Sequence, residues 1–214
     1  MENICLVLGY GVFLPPNPEY QNYLAKALDI CLQIKPSLII TCGGHTNKDH
    51  LDLSEASSIA HFFGNLHPNL KPSIICEDKS LTTAQNLAFS RNHLKVAGQT
   101  PQGLTIICDS IRVPKIFYLS LDIFSDIFGF KLSAEDRLSL LQDIYLNQDQ
   151  NLIKDVSFIY KNLKIKGIPL SKSPEIISGQ IISSMWEMHA SDYPKLHQKF
   201  INWRKQKWGI KDWN

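Results

Sequence analysis

Glycines, carboxylates, hydroxyls and cations follow four short apolar segments of this sequence, at the point where each segment ends. If the four segments are parallel strands of one sheet, their carboxyl ends lie along one edge, where α/β proteins bind ligands. The pattern therefore predicts a single ligand site assembled from four loops. The candidate ligand-binding residues are Gly9, Tyr10, Gly11, Gly43, Gly44, His45, Asn47, Ser80, Thr83, Asn86, Asp109, Ser110, Arg112 and Lys115.

Arg112 and Lys115 follow the fourth apolar segment and indicate an anionic ligand. An arginine can grip a phosphate or carboxylate with two parallel hydrogen bonds, whereas a lysine acts as a point charge. The sequences Gly9-Tyr10-Gly11 and Gly43-Gly44 would let backbone N–H groups approach the same anion. Neither glycine pair belongs to a full phosphate-loop motif, so ordinary tight turns are an equal interpretation.

Polar residues recur every three positions from Glu77 through Ser80 and Thr83 to Asn86. This spacing places side chains on one face of a helix, so the four residues are expected to face the ligand together. A simpler alternative is that Ser80 caps the helix and that Asn86 is solvated.

Two carboxylates, Glu55 and Glu77, are the candidate catalytic residues, as a general base or as ligands of a Mg²⁺ ion that arrives with a phosphorylated substrate. Around Glu55 the sequence is rich in groups that can bind metals. Their spacing matches no zinc motif, so no dedicated metal site is predicted. These neighbouring groups are His45, Asp49, His50 and Asp52.

The four apolar segments themselves begin near Ile4, Ser37, Ser73 and Leu104. They are continuously apolar rather than alternating, which is typical of parallel strands covered by helices on both faces. Helical patterns with glycine or proline at their ends separate them. The predicted helices are Tyr20–Ile34, Ser54–Phe63 ending at Gly64, Thr82–Val96 and Val113–Ile123.

The sequence therefore predicts an α/β protein with a Rossmann-like, doubly wound and mostly parallel sheet of about five strands. The fifth strand is expected near Ile127–Leu132, followed by a helix that starts at Ser133 and carries Leu138, Leu141, Ile144 and Tyr145 on its apolar stripe. Two further helices, Glu175–His189 and Tyr193–Lys207, are predicted to form a C-terminal extension. The domain prediction is a core at 1–168 with the extension at 169–214 packed on it.

Composition supports a globular chain, because 44% of the 214 residues are hydrophobic and 20% are charged. No segment is apolar over the length of a membrane span and no basic leader precedes Ile4, so a cytoplasmic protein is expected. The five cysteines lack paired spacing and are predicted to be free thiols, mostly buried. Trp203, Trp208 and Trp213 lie among basic residues, but no nucleic-acid motif accompanies them, so a nucleic-acid partner is not favoured over a packing helix.

The segments VLGYGV, CGGHTNKDHLDLSEA, EDKSLTTAQN and CDSIRVPK resemble the successive motifs of the YdcF-like family, a family of domains of unknown function that includes SanA and ElyC. The resemblance covers about residues 3 to 132, and its most specific part is the E-x-x-S-x-x-T-x-x-N pattern. It implies that eight residues line a common pocket. These are Gly9, Gly43, Gly44, Glu55, Glu77, Ser80, Thr83 and Asn86.

The sequence departs from the family pattern in two motifs. The family usually has His-x-x-Arg after the fourth strand, where this chain has Arg112 and Lys115. Arginine cannot act as a general base at neutral pH, so a mechanism that needs the histidine is in doubt while anion binding is retained. The family also tends to carry an arginine in the first helix, where this chain has Tyr23. One cationic contact is therefore expected to come from elsewhere.

Without a predicted anchor, the chain resembles the soluble branch of the family, whose members are associated with S-adenosylmethionine. Two functions follow as expectations. The first is an enzyme, a hydrolase or transferase, that acts on a phosphate-bearing small molecule or nucleotide. The second is a non-catalytic module that binds a nucleotide-like ligand such as S-adenosylmethionine.

Overall fold

A computed structural model describes residues 3–96, 98, 101–130, 132–133, 135–136, 139, 142, 155–170, 174–191 and 194–208. The strands are β1 (Asn3–Leu8), β2 (Leu38–Cys42), β3 (Ser73–Glu77), β4 (Gly103–Asp109), β5 (Val156–Tyr160) and β6 (Leu163–Ile168). The helices are α1 (Pro18–Ile34), α2 (Glu55–Leu66), α3 (Thr83–Val96), α4 (Val113–Ile123), α5 (Ser125–Phe128), α6 (Pro174–Ser191) and α7 (Pro194–Trp208), with a 3₁₀ turn at Ser110–Arg112.

The strands form one six-stranded sheet in the order β3-β2-β1-β4-β6-β5. All neighbouring pairs are parallel except β5 with β6. The chain runs outward from β1 through β2 to β3 and then returns to place β4 on the other side of β1. This reversal of strand order between β1 and β4 is the point where doubly wound sheets bind ligands. The predicted Rossmann-like, doubly wound α/β fold is confirmed.

Strand β1 shows why its sequence is apolar without alternation. Ile4, Leu6 and Leu8 pack on one face of the sheet with residues of α3 and α4. Cys5 and Val7 pack on the opposite face with residues of α1 and α2. Because successive side chains of a strand point to opposite faces, a strand covered on both sides must be apolar throughout.

Side-chain caps fix the points where the site-forming helices begin. Ser54 and Ser57 form a reciprocal capping box at the start of α2, which sets Glu55 in the first turn of that helix. At α3 the hydroxyl of Thr82 accepts a hydrogen bond from the backbone N–H of Gln85 at 3.1 Å. Caps of this kind satisfy N–H groups that have no partner within the helix.

The predicted fifth strand near Ile127–Leu132 is wrong. Residues 125–128 instead form α5, and Gly129 follows with a left-handed backbone (φ 64°) that ends the helix. The segment was apolar because Phe124, Ile127 and Phe128 pack on the core. The sheet is completed by the hairpin of β5 and β6, in which Lys164 and Lys166 interrupt the apolar pattern.

The other predicted helices agree with the structure to within a few residues. Helix α2 continues through Gly64 to Leu66 instead of ending at the glycine. Ser133 and Asp136 do bond to each other as a helix start, with Ser133 Oγ donating to Asp136 at 2.8 Å. The apolar stripe expected at Leu138, Leu141, Ile144 and Tyr145 lies outside the described residues.

The C-terminal extension consists of α6 and α7, which pack against each other. Helix α6 also contacts α3, α4 and the 3₁₀ turn, so it lies over the carboxyl edge of the sheet. In the part of the chain that the structure describes, no helix has both the length and the apolar character to cross a membrane. The five cysteines are free thiols, four of them buried and Cys76 partly exposed, as predicted.

Candidate functional site

A cavity of about 280 Å³ lies at the carboxyl edge of the parallel strands, where β1 and β4 diverge. Four loops that follow β1, β2, β3 and β4 form one wall, and α6 and α7 form the other. Its lining residues are Gly9, Tyr10, Gly11, Gly43, Gly44, Thr46, Glu55, Ser80, Leu81, Thr82, Thr83, Asn86, Arg112, Lys115, Gln180, Ser183, Ser184 and Arg204.

Most of the residues singled out in the sequence meet in this cavity. They are Gly9, Tyr10, Gly11, Gly43, Gly44, Glu55, Ser80, Thr83, Asn86, Arg112 and Lys115. The predicted residues that do not line it are His45, Asn47, Glu77, Asp109 and Ser110. The parallel topology accounts for the convergence, because it brings every strand–helix loop to the same edge.

Glu55 is the carboxylate of the cavity wall. It lies in the first turn of α2 and is 9% exposed. One carboxylate oxygen accepts a short hydrogen bond from the hydroxyl of Thr46. Burial raises the pKa of Glu55 above its ordinary value, while the Thr46 hydrogen bond and Arg112 act in the opposite direction. A carboxyl group whose pKa is raised holds a proton more readily than an exposed glutamate, which suits it to general acid–base catalysis.

Glu55 also explains why glycines occupy positions 9 and 43. A Cβ atom on Gly9 would lie 2.9 Å from the Cβ of Glu55, and one on Gly43 would lie 2.6 Å from it. Gly43 in addition has a φ of 136°, which side-chain-bearing residues rarely adopt. The close approach of α2 to the loops therefore requires these glycines whether or not their N–H groups contact a ligand.

Arg112 ends the 3₁₀ turn after β4 and reaches the loop after β1. Its Nη2 donates a hydrogen bond to the carbonyl of Gly9 at 2.7 Å. Its Nε is buried and has no hydrogen-bond partner among the described residues. Burial alone would lower the pKa of Arg112, but surrounding groups that include Asp109 and Glu55 raise it overall. The guanidinium group is therefore charged, and its Nε–H is available to donate a hydrogen bond at the cavity.

Asp109 and Ser110 lie in the backbone segment that leads into Arg112 and stabilise its turn. Asp109 ends β4, is fully buried, and its side chain accepts from the N–H of Ile111 at 3.4 Å in the 3₁₀ turn. Ser110 packs closely against Gly167 of β6, where a Cβ atom would lie 2.9 Å from the Cα of Ser110. Both residues shape the turn that presents Arg112 and do not reach the cavity.

Lys115 lies in the first turn of α4 and forms a buried ion pair with Glu187 of α6. Nζ and Oε2 are 2.9 Å apart, and the side chains are 5% and 0% exposed. The other oxygen of Glu187 accepts from the N–H of Ala84 at 2.8 Å, at the start of α3. Burial lowers the pKa of Lys115, and Glu187 opposes this effect. The pair ties the extension to two core helices.

Arg204 of α7 is a cation that the sequence patterns did not single out. It lines the same cavity as Arg112, and its guanidinium carbon lies 5.2 Å from the centre of the Phe200 ring. Burial lowers the pKa of Arg204, while Glu187 and Glu55 raise it. In the sequence it is one of several basic residues of a helical tail, so only the packing of α7 distinguishes it from its neighbours.

Glu77 lies behind the loop after β3 and outside the cavity. It is 1% exposed, and its Oε1 accepts hydrogen bonds from the N–H groups of Lys79 and Ser80, both at 3.0 Å. Its Oε2 is buried with no hydrogen-bond partner among the described residues. Burial raises the pKa of Glu77 to about 7. Its position is that of a support for the loop that carries Ser80.

The residues of the E-x-x-S-x-x-T-x-x-N pattern have two roles, since some line the cavity and one supports a loop behind it. Ser80 donates a short hydrogen bond to the side chain of Asn86, and both residues are buried. The capping alternative is wrong, because Thr82 and not Ser80 bonds to the first turn of α3. Asn86 is 7% exposed, so it is not a solvated residue either. Ser80, Thr83 and Asn86 face the cavity, with Glu77 behind them.

The loop after β2 separates the side chains of metal-binding type that the sequence places near Glu55. Asp49, His50 and Asp52 are exposed, whereas Glu55 is buried. Asn47 uses its side-chain oxygen to accept from the N–H of Asp49 at 3.0 Å, which shapes the loop. Over the described ranges, no three His, Cys, Asp or Glu side chains are grouped closely enough to hold a metal ion.

The residues missed in the sequence belong to two groups. Thr46, Leu81 and Thr82 are neighbours of predicted residues in the same loops. Their position in those loops was the sequence signal from which they could have been predicted. Gln180, Ser183, Ser184 and Arg204 come from the extension. Gln180, Ser183 and Ser184 recur with Glu187 at three- and four-residue steps, so a polar stripe on α6 was the available signal.

The charge of the cavity favours an anion. The charged residues that line it are Glu55, Arg112, Lys115 and Arg204. When Lys115 is paired with Glu187, the remaining charges are two arginines and Glu55. A ligand with one or two negative charges would complete the balance in a site of low dielectric constant.

No protein-family model matches the chain, and no curated protein sequence matches it significantly. The sequence and geometry of the site are therefore the basis for its functional interpretation.

Proposed function

We propose that the cavity binds a phosphate-bearing small molecule, and that the protein is a YdcF-like hydrolase or transferase acting on it. The observation that carries the proposal is that Arg112, in the turn after β4, and Arg204 of α7 line one cavity with Glu55, and that each arginine interacts electrostatically with this carboxylate. Arginine forks are suited to phosphate oxygens. The cavity of about 280 Å³ is at the small end of ligand pockets, which favours a small molecule over a polymer.

In this proposal the arginines hold the phosphate and Glu55 transfers a proton. Burial raises the pKa of Glu55, which favours its role as the proton donor or acceptor of the reaction. The two guanidinium groups would stabilise the charge that develops on the phosphoryl oxygens, which is usually the largest contribution to catalysis of phosphoryl transfer. Lys115 is already paired with Glu187, so its charge is largely neutralised and its contribution is to hold α6 against the cavity wall.

Two expectations from the sequence gain support from this geometry. Residues that carry the YdcF-like resemblance line the cavity, including Gly9, Gly43 and Glu55. Arg204 also supplies a cation from outside the core, as expected if the arginine replaced by Tyr23 has a substitute elsewhere. Tyr23 itself donates to the carbonyl of Leu8 at 2.8 Å and is buried.

The test is a thermal-shift screen of the purified protein against inorganic phosphate, nucleotides, sugar phosphates and S-adenosylmethionine, each with and without Mg²⁺. We expect a phosphorylated compound to raise Tm in the wild type and to lose that effect in Arg112→Gln. Arg91→Gln is the matched control, because Arg91 pairs with Asp126 far from the cavity. Failure of every phosphorylated compound, or an unchanged shift in Arg112→Gln, would overturn the proposal.

A second arm separates catalysis from binding. Glu55→Gln keeps the shape of the wall but cannot accept a proton, so it should bind the same ligand and lose product formation by about a hundred-fold or more. If the wild type binds S-adenosylmethionine and forms no product from any phosphorylated compound, the non-catalytic module described above replaces the enzyme.

A further inference from the structure

An apolar groove of about 560 Å³ lies between α6 and α7, separate from the charged cavity. Its walls are formed by one face of each helix. The lining residues are Gly179, Ile182, Ser183, Trp186, Leu196, Lys199, Phe200 and Trp203. Apart from Lys199 and Ser183, all are apolar or have no side chain.

The large side chains of this groove are exposed to an unusual degree. Ile182, Trp186 and Trp203 have exposed fractions of 59%, 58% and 50%. Single exposed apolar side chains are common, but a cluster of them around a concave surface marks a binding site. Phe200 and Trp203 pack with ring centres 5.8 Å apart, which gives the groove an aromatic floor.

The groove adjoins the charged cavity at two side chains. Ser183 lines both. Phe200 of the groove packs against the guanidinium of Arg204, which lines the cavity. On α6 the cavity residues Gln180 and Ser184 directly follow the groove residues Gly179 and Ser183. The cavity face and the groove face are therefore adjacent around one helix.

We propose that cavity and groove bind one amphiphilic molecule, with its anionic head between Arg112 and Arg204 and its apolar chain between α6 and α7. The inference rests on the proposed function, because the cavity must first bind the anion. The shared wall argues for a single ligand, since an apolar chain attached to a bound phosphate would enter the groove directly past Ser183. The substrate class is therefore an organic phosphate with an extended aliphatic substituent.

The proposal is tested with inorganic phosphate and a series of n-alkyl phosphates from ethyl to octyl, each below its micelle concentration. Binding is measured by calorimetry and by tryptophan fluorescence, since Trp186 and Trp203 line the groove. Burial of each further methylene should tighten binding by up to about four-fold. Octanol, which has the chain and no phosphate, should bind much more weakly than octyl phosphate.

Variants distinguish the groove from the cavity. Ile182→Ser and Trp203→Ala should flatten the dependence on chain length and leave the affinity for inorganic phosphate unchanged. Ile176→Ser is the matched control, because Ile176 is 50% exposed on the same helix and does not line the groove. Arg112→Gln should weaken binding of inorganic phosphate and of every alkyl phosphate alike.

Two results would overturn the inference. If affinity is independent of chain length while inorganic phosphate still binds through Arg112, the groove does not hold the chain and the proposed function survives. If Ile182→Ser and Trp203→Ala bind octyl phosphate as the wild type does, the same conclusion applies. Absence of any phosphate or alkyl phosphate binding would overturn both proposals.

Discussion

Lys115 of α4 and Glu187 of α6 form an ion pair with 2.9 Å between Nζ and Oε2, and neither side chain is more than 5% exposed. Glu187 also accepts from the backbone of Ala84 at the start of α3. A carboxylate of the extension is thus the counter-ion of a cavity lysine and a hydrogen-bond acceptor for a core helix. The extension therefore contributes an interacting side chain to the site in addition to covering it.

Removing this carboxylate should be costly to folding. Glu187→Gln leaves the charge of Lys115 buried without its partner, and we expect the free energy of unfolding to fall by about 3 to 5 kcal/mol. Urea denaturation monitored by circular dichroism measures the loss. The double variant Lys115→Met with Glu187→Gln should recover part of it, because no buried charge remains.

The control for this loss is a pair on the surface. Asp126 bonds to Arg91 and Lys95 and is 40% exposed, so Asp126→Asn should cost only about 0 to 1 kcal/mol. Equal losses in Glu187→Gln and Asp126→Asn would contradict the assignment of Lys115 and Glu187 as a buried pair.

The buried carboxyl of Glu77 should make stability depend on pH. Its pKa is about 7 in the folded protein, compared with an ordinary value of 4.5. Between about pH 4.5 and 7 the folded state therefore holds a proton that the unfolded state releases. The contribution of Glu77 to stability is lost as the pH rises through this window and is constant above it.

The variant Glu77→Gln isolates this effect. Glutamine can still accept the hydrogen bonds from Lys79 and Ser80, but it does not ionise. We expect the stability of Glu77→Gln relative to the wild type to increase from pH 5 to pH 8, by as much as about 3 kcal/mol. Urea unfolding at unit pH steps measures this difference, with exposed Glu19→Gln as the control. Parallel curves for wild type and Glu77→Gln would contradict burial of the ionised group.

Gly43 and Gly64 should respond in opposite directions to alanine. In Gly43→Ala the new Cβ would lie 2.6 Å from the Cβ of Glu55 at a φ of 136°, so we expect a loss of about 1 to 3 kcal/mol. Gly64 lies within α2 with open space around it, so Gly64→Ala should stabilise the protein by about 0.5 to 1 kcal/mol. Thermal unfolding of both variants compares them, and a tolerated Gly43→Ala would show that Glu55 is not held against the loop.

Arg204 should contribute to ligand binding although it lies outside the core sequence motifs. Hydrogen bonds to charged groups contribute about 1.5 to 3 kcal/mol, so Arg204→Gln should weaken binding of the stabilising phosphorylated compound by at least about ten-fold. Arg204→Lys keeps the charge and should bind more tightly than Arg204→Gln. Calorimetric titration measures these affinities, and equal binding by wild type and Arg204→Gln would exclude Arg204 from the anion site.

Much of the fold could be predicted from the sequence because the signals were local. Strands β1, β2 and β4 are buried on both faces and the edge strand β3 is partly buried, and this produced the uninterrupted apolar segments that start near Ile4, Ser37, Ser73 and Leu104. The β5–β6 hairpin was missed because Lys164 and Lys166 lie partly exposed within β6 and break that pattern. A fifth strand was predicted where residues 125–128 form a helix, because a short helix that packs one apolar side on the core can resemble a short buried strand.

The loop residues of the site could be predicted for a related reason. Once the strands are parallel, chain order alone places Gly9, Gly43, Ser80 and Arg112 at one edge. The sequence by itself thus determined which loops meet and that cations are among them. It could not distinguish Glu55, which lines the cavity, from Glu77, which lies behind a loop, because the direction of a side chain in the first turn of α2 or at the end of β3 depends on the packed structure.

Tertiary structure alone decided how the extension takes part. Gln180, Ser184 and Arg204 lie far along the chain from the loops and carry no motif, and their role depends on the angle at which α6 and α7 pack on the core. Contacts between distant segments arise from the shapes of whole packed surfaces, so the polar stripe on α6 does not by itself reveal which loops it faces. The sequence specified a sheet edge that carries glycines, hydroxyls and cations, and the packing of α6 and α7 added a second wall and an apolar groove.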